Sequence, residues 1–269
     1  MIAKIIIFLF GSIIGSFLNV CIHRMPLGES VVWPRSHCPK CGKRIPGYDN
    51  IPFISFFLLG GKCRFCKERI SLRYLLVELL TASMLVFLFS RYGLSYDFFF
   101  YMVLICGLII STFVDIQHRI IPDEISIGGL IVGFILSTVK GFNLSPLSFN
   151  FGPLVHSLLG ILAGGGIIYI TGFLFDQVYF KLLKRPAING ETESIGGGDV
   201  KLLAMIGAFL GAKGAILAFF FAPFLGLVIG IINLIKKKDH TIPYGPFLSL
   251  GAFLALFWGD KIISLVLMR

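Results

Sequence analysis

The sequence predicts an all-α polytopic membrane protein with about eight transmembrane helices and a small zinc-ribbon-like insertion between helices 1 and 2. Two observations carry this prediction. Hydrophobic residues make up 56% of the 269-residue chain and charged residues only 14%, whereas about a quarter of the residues in a soluble domain are charged. In addition, two Cys-x-x-Cys pairs fall in the long polar stretch near the N-terminus. Lipid is therefore expected to cover most of the surface.

Eight apolar segments are candidate transmembrane helices, because a helix needs about 20 apolar residues to cross a bilayer. The shortest segment, 199–211, has 13 residues. It is either a buried half-span or a full span completed by its glycine-rich lead-in. The candidates are 2–21, 73–90, 97–115, 124–140, 153–176, 199–211, 214–235 and 245–266.

The distribution of Lys and Arg predicts the orientation of these helices. With eight helices, most of the 24 Lys and Arg residues fall in the loops on one side, including 22–72 and 177–201. Positive loops stay in the cytoplasm, so we expect both termini outside. Leaving out 199–211 would place the lysines of 236–238 outside, which favours eight helices over seven. No small-residue cleavage site follows the first apolar run, so it is expected to be retained.

We predict three parts of the chain. These are the first transmembrane helix (1–21), a cytoplasmic four-cysteine zinc-binding domain (22–72) and a membrane helical bundle that carries the reactive groups (73–269). The stretch 141–152 is predicted to be an outer loop. The stretch 185–198 is predicted to be a flexible cytoplasmic loop, because its Pro and Gly residues prevent a continuous helix.

The cysteine pairs indicate a metal site. Cys38 and Cys41 form one pair and Cys63 and Cys66 the other, with 21 residues between the pairs. Four thiolates at this spacing suit one tetrahedral Zn²⁺, and four protein ligands would make it structural. A redox or disulfide pair is the alternative, but structural disulfides are rare in the cytoplasm.

Two aspartates stand at the ends of apolar segments. Asp115 ends the third segment and Asp199 opens the sixth, so opposite chain directions bring both carboxyl groups to one depth. Two close carboxyl groups share a proton. The charged one can activate water, and the protonated one can polarise a scissile carbonyl and protonate the leaving amine. We therefore expect an aspartyl-type hydrolase. The structural alternatives are an N-cap role for Asp199 and a pairing of Asp115 with Arg119.

Three residues around Asp199 are expected to assist it. Gly197 and Gly198 leave room for a substrate backbone and expose N–H groups near the helix start. Lys201 either orients or tunes the acids, or it only extends its ammonium group toward the interface.

The sequence around both aspartates resembles bacterial type IV prepilin peptidases. The run from Gly196 to Asp199 resembles their GxGD motif, and Asp115 with the nine residues after it resembles their first catalytic segment. The stretches 15–26, 34–42, 73–81 and 242–247 are also similar to that family, and their order and spacing fit.

The resemblance implies a bifunctional enzyme of the bacterial inner (cytoplasmic) membrane, with its active site facing the cytoplasm. It would cleave the basic leader of type IV prepilins, or of type II secretion pseudopilins, after a glycine. It would then N-methylate the new N-terminal residue with S-adenosylmethionine. By position, Asp115 and Asp199 would be the catalytic aspartates, and the four cysteines would bind zinc. Some relatives lack these cysteines, so zinc would take no part in cleavage.

The residues for methyl transfer are less clearly indicated. No Rossmann glycine fingerprint appears in 22–72, and 51 residues are too few for that fold. Candidates are Glu29, Gly61, Lys62 and Glu78. Glu78 could accept the proton of an amine nucleophile, tune the site, or pair with a nearby arginine.

Other classes of function fit less well. The net charge of +10 is explained by cytoplasmic loops, and no basic helix or aromatic platform indicates nucleic-acid binding. One alternative is a GxGD-type intramembrane aspartyl protease without methyltransferase activity. Another is a zinc-stabilised transporter, which predicts acids near the bilayer midplane and symmetry between halves.

Overall fold

The computed structural model describes residues 1–143, 150–182, 196–235 and 242–267. In these ranges the chain is helical, and its only β pairings are two isolated bridges. By packing, the chain forms two compact units, Met1–Ile110 and Ser111–Arg269. The all-α prediction is confirmed, whereas the division at residues 21 and 72 stays a prediction.

Seven helices in the described ranges are long and apolar enough to cross a membrane. A short helix in the polar insertion, α2, is the exception. Short 3₁₀ segments at Met25–Leu27 and Gly47–Asn50 and a π segment at Gln177–Leu182 complete the helical structure. In chain order the helices are α1 (Ile2–Arg24), α2 (Ile54–Leu58), α3 (Leu72–Tyr92), α4 (Tyr96–His118), α5 (Asp123–Asn143), α6 (Gly152–Asp176), α7 (Gly197–Ile235) and α8 (Gly245–Leu267).

Helix α7 is broken at Gly211, where φ is 69° and ψ is −177°. The first half, 197–210, runs parallel to α5. Lys201 pairs with Asp123 at the start of α5, and the Phe209 ring lies against Gly133 three turns further along. We call this half α7a and the remainder, 212–235, α7b.

Helix α7b runs back in the opposite direction. It is antiparallel to α8, because Gly226 lies against Phe247 near the start of α8 and Ala218 lies against Gly251 further along. Helices α5 and α8 begin at the same end of the unit, since Gly245 lies beside the connection between α4 and α5. The chain therefore reverses at Gly211. With α7a and α7b counted separately and the short α2 left out, the described residues contain the eight predicted membrane helices.

Helices α6 and α7a touch backbone to backbone. A Cβ at Gly160 would collide with the Gly207 carbonyl, and a Cβ at Gly164 would collide with the Leu203 carbonyl. Small residues allow such close approach, which is the usual way that helices pack in lipid. This contact fixes α7a against the rest of the second unit.

The surface of the second unit carries large apolar side chains. Phe224 is 68% exposed and Phe220 is 58% exposed. A water-soluble protein rarely exposes contiguous apolar surface on this scale. These side chains therefore fit contact with lipid, as the composition predicts.

Two predicted loops are only partly covered by the described residues. Helices extend into the covered ends of both loops. Both ends of the expected outer loop 141–152 are helical, since α5 continues to Asn143 and α6 begins at Gly152. Residues 197–198 of the expected loop 185–198 belong to α7 because the glycine run tolerates the first helical turn. Residues 144–149 and 185–195 of these loops, and the lysines of 236–238, lie outside the described residues.

Candidate active site and metal centre

Asp115 lies in the last turn of α4 and is 6% exposed. The backbone N–H of Gly245 donates a hydrogen bond to Asp115 Oδ2 at 2.8 Å. Asp115 contacts Arg119 through the backbone, because the Arg119 N–H donates to the Asp115 carbonyl at 2.9 Å. The carboxylate is thus held by the start of α8 rather than by an ion pair along its own helix.

Asp199 is the third residue of α7, so it lies inside the first turn and is not the N-cap. Ile121, in the connection between α4 and α5, packs close to both Gly198 and Gly245. This contact brings the start of α7 to Asp115, and the two carboxyl groups interact electrostatically. The structure therefore places the two predicted aspartates together at one end of the second unit.

Lys201 has a partner that sequence reasoning missed. Its Nζ donates to both carboxylate oxygens of Asp123, at 2.7 and 2.9 Å. The pair joins the start of α7 to the start of α5. Because both side chains are about half exposed, the pair contributes little to stability.

Tyr244 and Gly245 were also missed, although they lie in the stretch 242–247 that resembles the family. Gly245 has no room for a side chain, because a Cβ would lie 2.8 Å from Asp115 Oδ2. Burial, and to a smaller extent the nearby Asp199, raise the pKa of Tyr244 to about 12. Its phenol therefore stays protonated at neutral pH and can donate a hydrogen bond beside the aspartate pair.

The four cysteines form one cluster in the first unit. The sulfur atoms of Cys38, Cys41, Cys63 and Cys66 lie within 4.8 Å of one another, and the Cys38 and Cys66 sulfurs are 3.8 Å apart. A tetrahedral zinc with bonds of about 2.3 Å separates its sulfur ligands by about 3.8 Å. The cluster can therefore hold one tetrahedral metal ion.

The two cysteine pairs have the same backbone geometry. Gly42 N–H donates to the Cys38 carbonyl at 2.8 Å, and Lys67 N–H donates to the Cys63 carbonyl at 3.0 Å. Gly42 and Lys67 both have positive φ, 67° and 59°. The N–H groups of Cys66 and Phe65 donate to the Cys63 sulfur and lower its pKa to about 7. At Cys63 the turn thus favours the thiolate form that binds metal, whereas hydrogen bonds with neighbouring cysteines help to raise the pKa of Cys66 to about 11.

The candidates for methyl transfer all lie in the first unit, in different surroundings. Glu78 is buried in α3 and accepts a hydrogen bond from Phe53 N–H at 3.1 Å. Gly61 and Lys62 form the base of the second cysteine turn, where Gly61 packs on a phenylalanine ring and Lys62 bridges to Arg69. Glu29 is exposed just after α1. Their roles in methyl transfer stay predictions.

A helical membrane unit with two interacting aspartates at one end has the features of a membrane-embedded aspartic hydrolase. The chain belongs to the type IV leader peptidase family. The model of that family matches residues 102–231, and the model described as Bacterial Peptidase A24 N-terminal domain matches residues 9–92.

Several curated relatives match over nearly their whole length. A protein of Pseudomonas aeruginosa is 32% identical over 94% of this chain and 90% of its own length. One of Bacillus subtilis is 34% identical over 96% of both chains, and one of Aeromonas salmonicida is 32% identical over 96% and 91%. Each is named prepilin leader peptidase/N-methyltransferase. No solved structure matches significantly.

Proposed function

We propose that this protein cleaves the leader peptide of type IV prepilins, or of type II secretion pseudopilins, and then N-methylates the new N-terminus. The observation that supports cleavage is the pairing of Asp115 with Asp199 at one end of the second unit. The names of the relatives support both activities. Because these names include both leader cleavage and N-methyl transfer, we favour this function over a transporter and over a protease without methyltransferase activity.

The aspartates would divide the chemistry of peptide hydrolysis between them. One carboxylate removes a proton from water, and the hydroxide oxygen that results forms a bond to the scissile carbonyl carbon. The protonated partner donates its proton, the C–N bond breaks, and the leaving nitrogen departs as a neutral amine. The Gly245 N–H orients Asp115 Oδ2, which leaves the second oxygen for water. The Tyr244 phenol supplies another donor near Asp199.

We infer that this site faces the cytoplasm of a bacterial inner membrane and that both termini lie outside. The inference depends on the concentration of Lys and Arg in one set of loops. A substrate with a basic leader and a following apolar helix would enter from the cytoplasm. Its cleavage point after glycine would then lie at the depth of the aspartates.

The proposed function is tested with the purified full-length protein in lipid nanodiscs. A synthetic prepilin N-terminal segment is added with S-adenosylmethionine. We expect a shorter peptide on a gel and a mature N-terminus that is heavier by one methyl group in mass spectra. An uncut peptide would contradict the peptidase proposal, and a cut peptide that is never methylated would contradict the transferase proposal.

Replacement of Gly245 by alanine is expected to slow cleavage about 100-fold with little change in KM. The added Cβ would press on Asp115 Oδ2, and a shift of about 1 Å in a catalytic group can cost that much. The measurement is the kcat and KM of leader cleavage. Gly128→Ala is the matched control, because a Cβ there meets no atom within 4 Å. Equal rates for the two variants would contradict the role of Gly245.

We also propose that the four cysteines hold one structural Zn²⁺. With four protein ligands the ion has no open position for substrate or water. Its contribution would be to the folding of the polar insertion, since metal binding is coupled to folding in small domains of this kind.

The double variant Cys38→Ser/Cys63→Ser is expected to contain no zinc and to unfold in residues 22–72. Leader cleavage should fall by less than tenfold, because the aspartates lie in the other unit. Elemental analysis measures zinc, and protease sensitivity of the insertion measures its folding. Unchanged zinc content would contradict the metal assignment. Cys21→Ser, at a buried cysteine in α1 outside the cluster, is the control for zinc content.

A further inference from the structure

The first unit contains a cavity of about 550 Å³ beside the second half of α1. One face of that helix forms one wall, and the loops at 31–36 and 44–52 form the rest. The side chains that α1 contributes are Ile13, Ser16, Phe17, Val20 and Arg24. At about 1.5 Å per residue, the cavity therefore follows α1 for about 16 Å along its axis.

The apolar end of the cavity belongs to the face of α1 that points away from α3. Gly11 and Gly15 lie against the backbone of α3, and positions two residues further along a helix face the opposite side. Those positions are Ile13, which is 61% exposed, and Phe17, which is 52% exposed. Helix α1 is long and apolar enough to cross a membrane, so this end of the cavity continues into a surface that fits contact with lipid.

The other end of the cavity is positively charged. Arg24, Arg35 and Arg44 line it, and none of the described residues around it offers a carboxylate. Arg24 is only 4% exposed. A guanidinium has five N–H donors, yet within the described part of the chain that of Arg24 makes a single hydrogen bond, to the Ser30 carbonyl at 2.9 Å. The remaining N–H donors suit the oxygens of a phosphate group.

The loop 31–36 exposes large apolar side chains beside this charged end. Val32 lines the cavity and is 81% exposed, and the neighbouring Trp33 is 71% exposed. Tryptophan is enriched where membrane hydrocarbon meets the headgroups. Arg24 is the last residue of α1, so the arginines and this loop lie where a membrane helix leaves the hydrocarbon. The charged end of the cavity therefore suits the depth of lipid headgroups.

We propose that this cavity binds an anionic phospholipid of the bilayer, with its phosphate on the three arginines and one acyl chain along Ile13, Phe17 and Val20. Basic pockets beside transmembrane helices on the cytoplasmic side bind anionic headgroups, and this is the side that we infer for the insertion. The cavity would hold the phosphate, the glycerol and the start of the chain, and the rest would lie in the bilayer. The proposal goes beyond leader cleavage and N-methyl transfer and depends on neither.

Two other occupants fit the cavity less well. The basic leader of a prepilin segment would meet three arginines and no carboxylate, and like charges repel. A soluble phosphate would match the arginines but would leave the apolar wall along α1 without a partner. The charge at one end and the lipid-facing wall at the other therefore favour a phospholipid.

Retention of lipid tests the proposal directly. The full-length protein is placed in nanodiscs of phosphatidylcholine with a minor fraction of phosphatidylglycerol, and native mass spectrometry identifies the lipids that leave the disc with it. We expect phosphatidylglycerol to be enriched on the protein relative to its share of the disc. Arg35→Gln and Arg44→Gln should each weaken this enrichment about fivefold, which corresponds to about 1 kcal/mol.

The matched control is Arg69→Gln, at an exposed arginine of the same insertion that does not line the cavity. It should retain phosphatidylglycerol like the unmodified protein. Equal losses in all three variants would show only general attraction between a basic insertion and an anionic membrane. That result, or the absence of enrichment in the unmodified protein, would overturn the proposal.

Competition identifies the source of the anion. Glycerol 3-phosphate and inorganic phosphate carry the anionic group without an acyl chain, so a large excess of either should leave phosphatidylglycerol bound. Displacement by these soluble anions would show a phosphate site without a lipid, and displacement by a prepilin segment would assign the cavity to the substrate. Either displacement would overturn the proposal.

Thermal unfolding provides a second measurement that does not depend on mass spectrometry. A ligand that binds only the folded state stabilises it by mass action, so Tm should be higher in nanodiscs that contain phosphatidylglycerol than in phosphatidylcholine alone. The double variant Arg35→Gln/Arg44→Gln should lose this difference, and Arg69→Gln should keep it. A difference that persists in the double variant would contradict binding at the arginines.

Discussion

Asp115→Asn and Asp199→Asn are each expected to slow leader cleavage by about 1,000-fold or more, with zinc content and methylation of a pre-cut peptide unchanged. Each substitution keeps the volume of the side chain but removes the group that takes or gives a proton. Residues that act as one unit show non-additive losses, so the double variant should be little slower than either single variant. Rates are measured by gel shift of a prepilin segment over several hours.

Two further measurements separate chemistry from folding in this prediction. Asp260→Asn, at an exposed position in α8 away from the paired aspartates, should cleave like the unmodified protein. Thermal unfolding of the Asp115 and Asp199 variants should occur within a few degrees of the unmodified protein. Full processing by either single variant would show that the hydrolysis uses other groups.

Gly160→Ala is expected to disrupt the second unit. The added Cβ would collide with the Gly207 carbonyl, and neither backbone can yield without separating α6 from α7a. Overpacking of this kind typically costs about 1–3 kcal/mol, which corresponds to a fall in Tm of about 2–12 °C in a chain of this size. Because α7a carries Asp199, cleavage should fall together with stability.

The same helix provides a close control. Gly166 lies in α6, one and a half turns beyond Gly160, and a Cβ there meets no atom within 4 Å. Gly166→Ala should therefore leave Tm unchanged or raise it slightly, since alanine favours the helix. Gly164→Ala, which meets the Leu203 carbonyl, should resemble Gly160→Ala. Equal effects of all three variants would contradict the close contact between α6 and α7a.

The parts of this protein that can be predicted from the sequence are those whose signal is local. The four cysteines are recognised by their own spacing, and Asp199 by the glycines next to it. The division of 199–235 near Gly211 also follows from the sequence, because the lysines of 236–238 fall on the cytoplasmic side only if 199–211 is counted as a separate helix. In each case the signal lies within one short stretch of the chain.

The missed features depend on contacts between distant parts of the chain. Gly245 lies 130 residues from Asp115, and no pattern within 242–247 indicates which side chain its N–H will meet. The pairing of Lys201 with Asp123 spans 78 residues. The positive φ of Phe53, 59°, was not predictable either, because such a conformation favours glycine. The N–H of Phe53 donates to Glu78, which lies 25 residues away in the chain.

The reversal at Gly211 leaves α7a shorter than the membrane is thick. Helix α7a has 14 residues and is about 21 Å long, whereas the hydrocarbon slab is about 30 Å thick. Residues 202–209 are buried in the second unit, so protein rather than lipid surrounds most of α7a. A helix enclosed in this way can end about 9 Å short of the slab without exposing its terminal backbone groups to lipid.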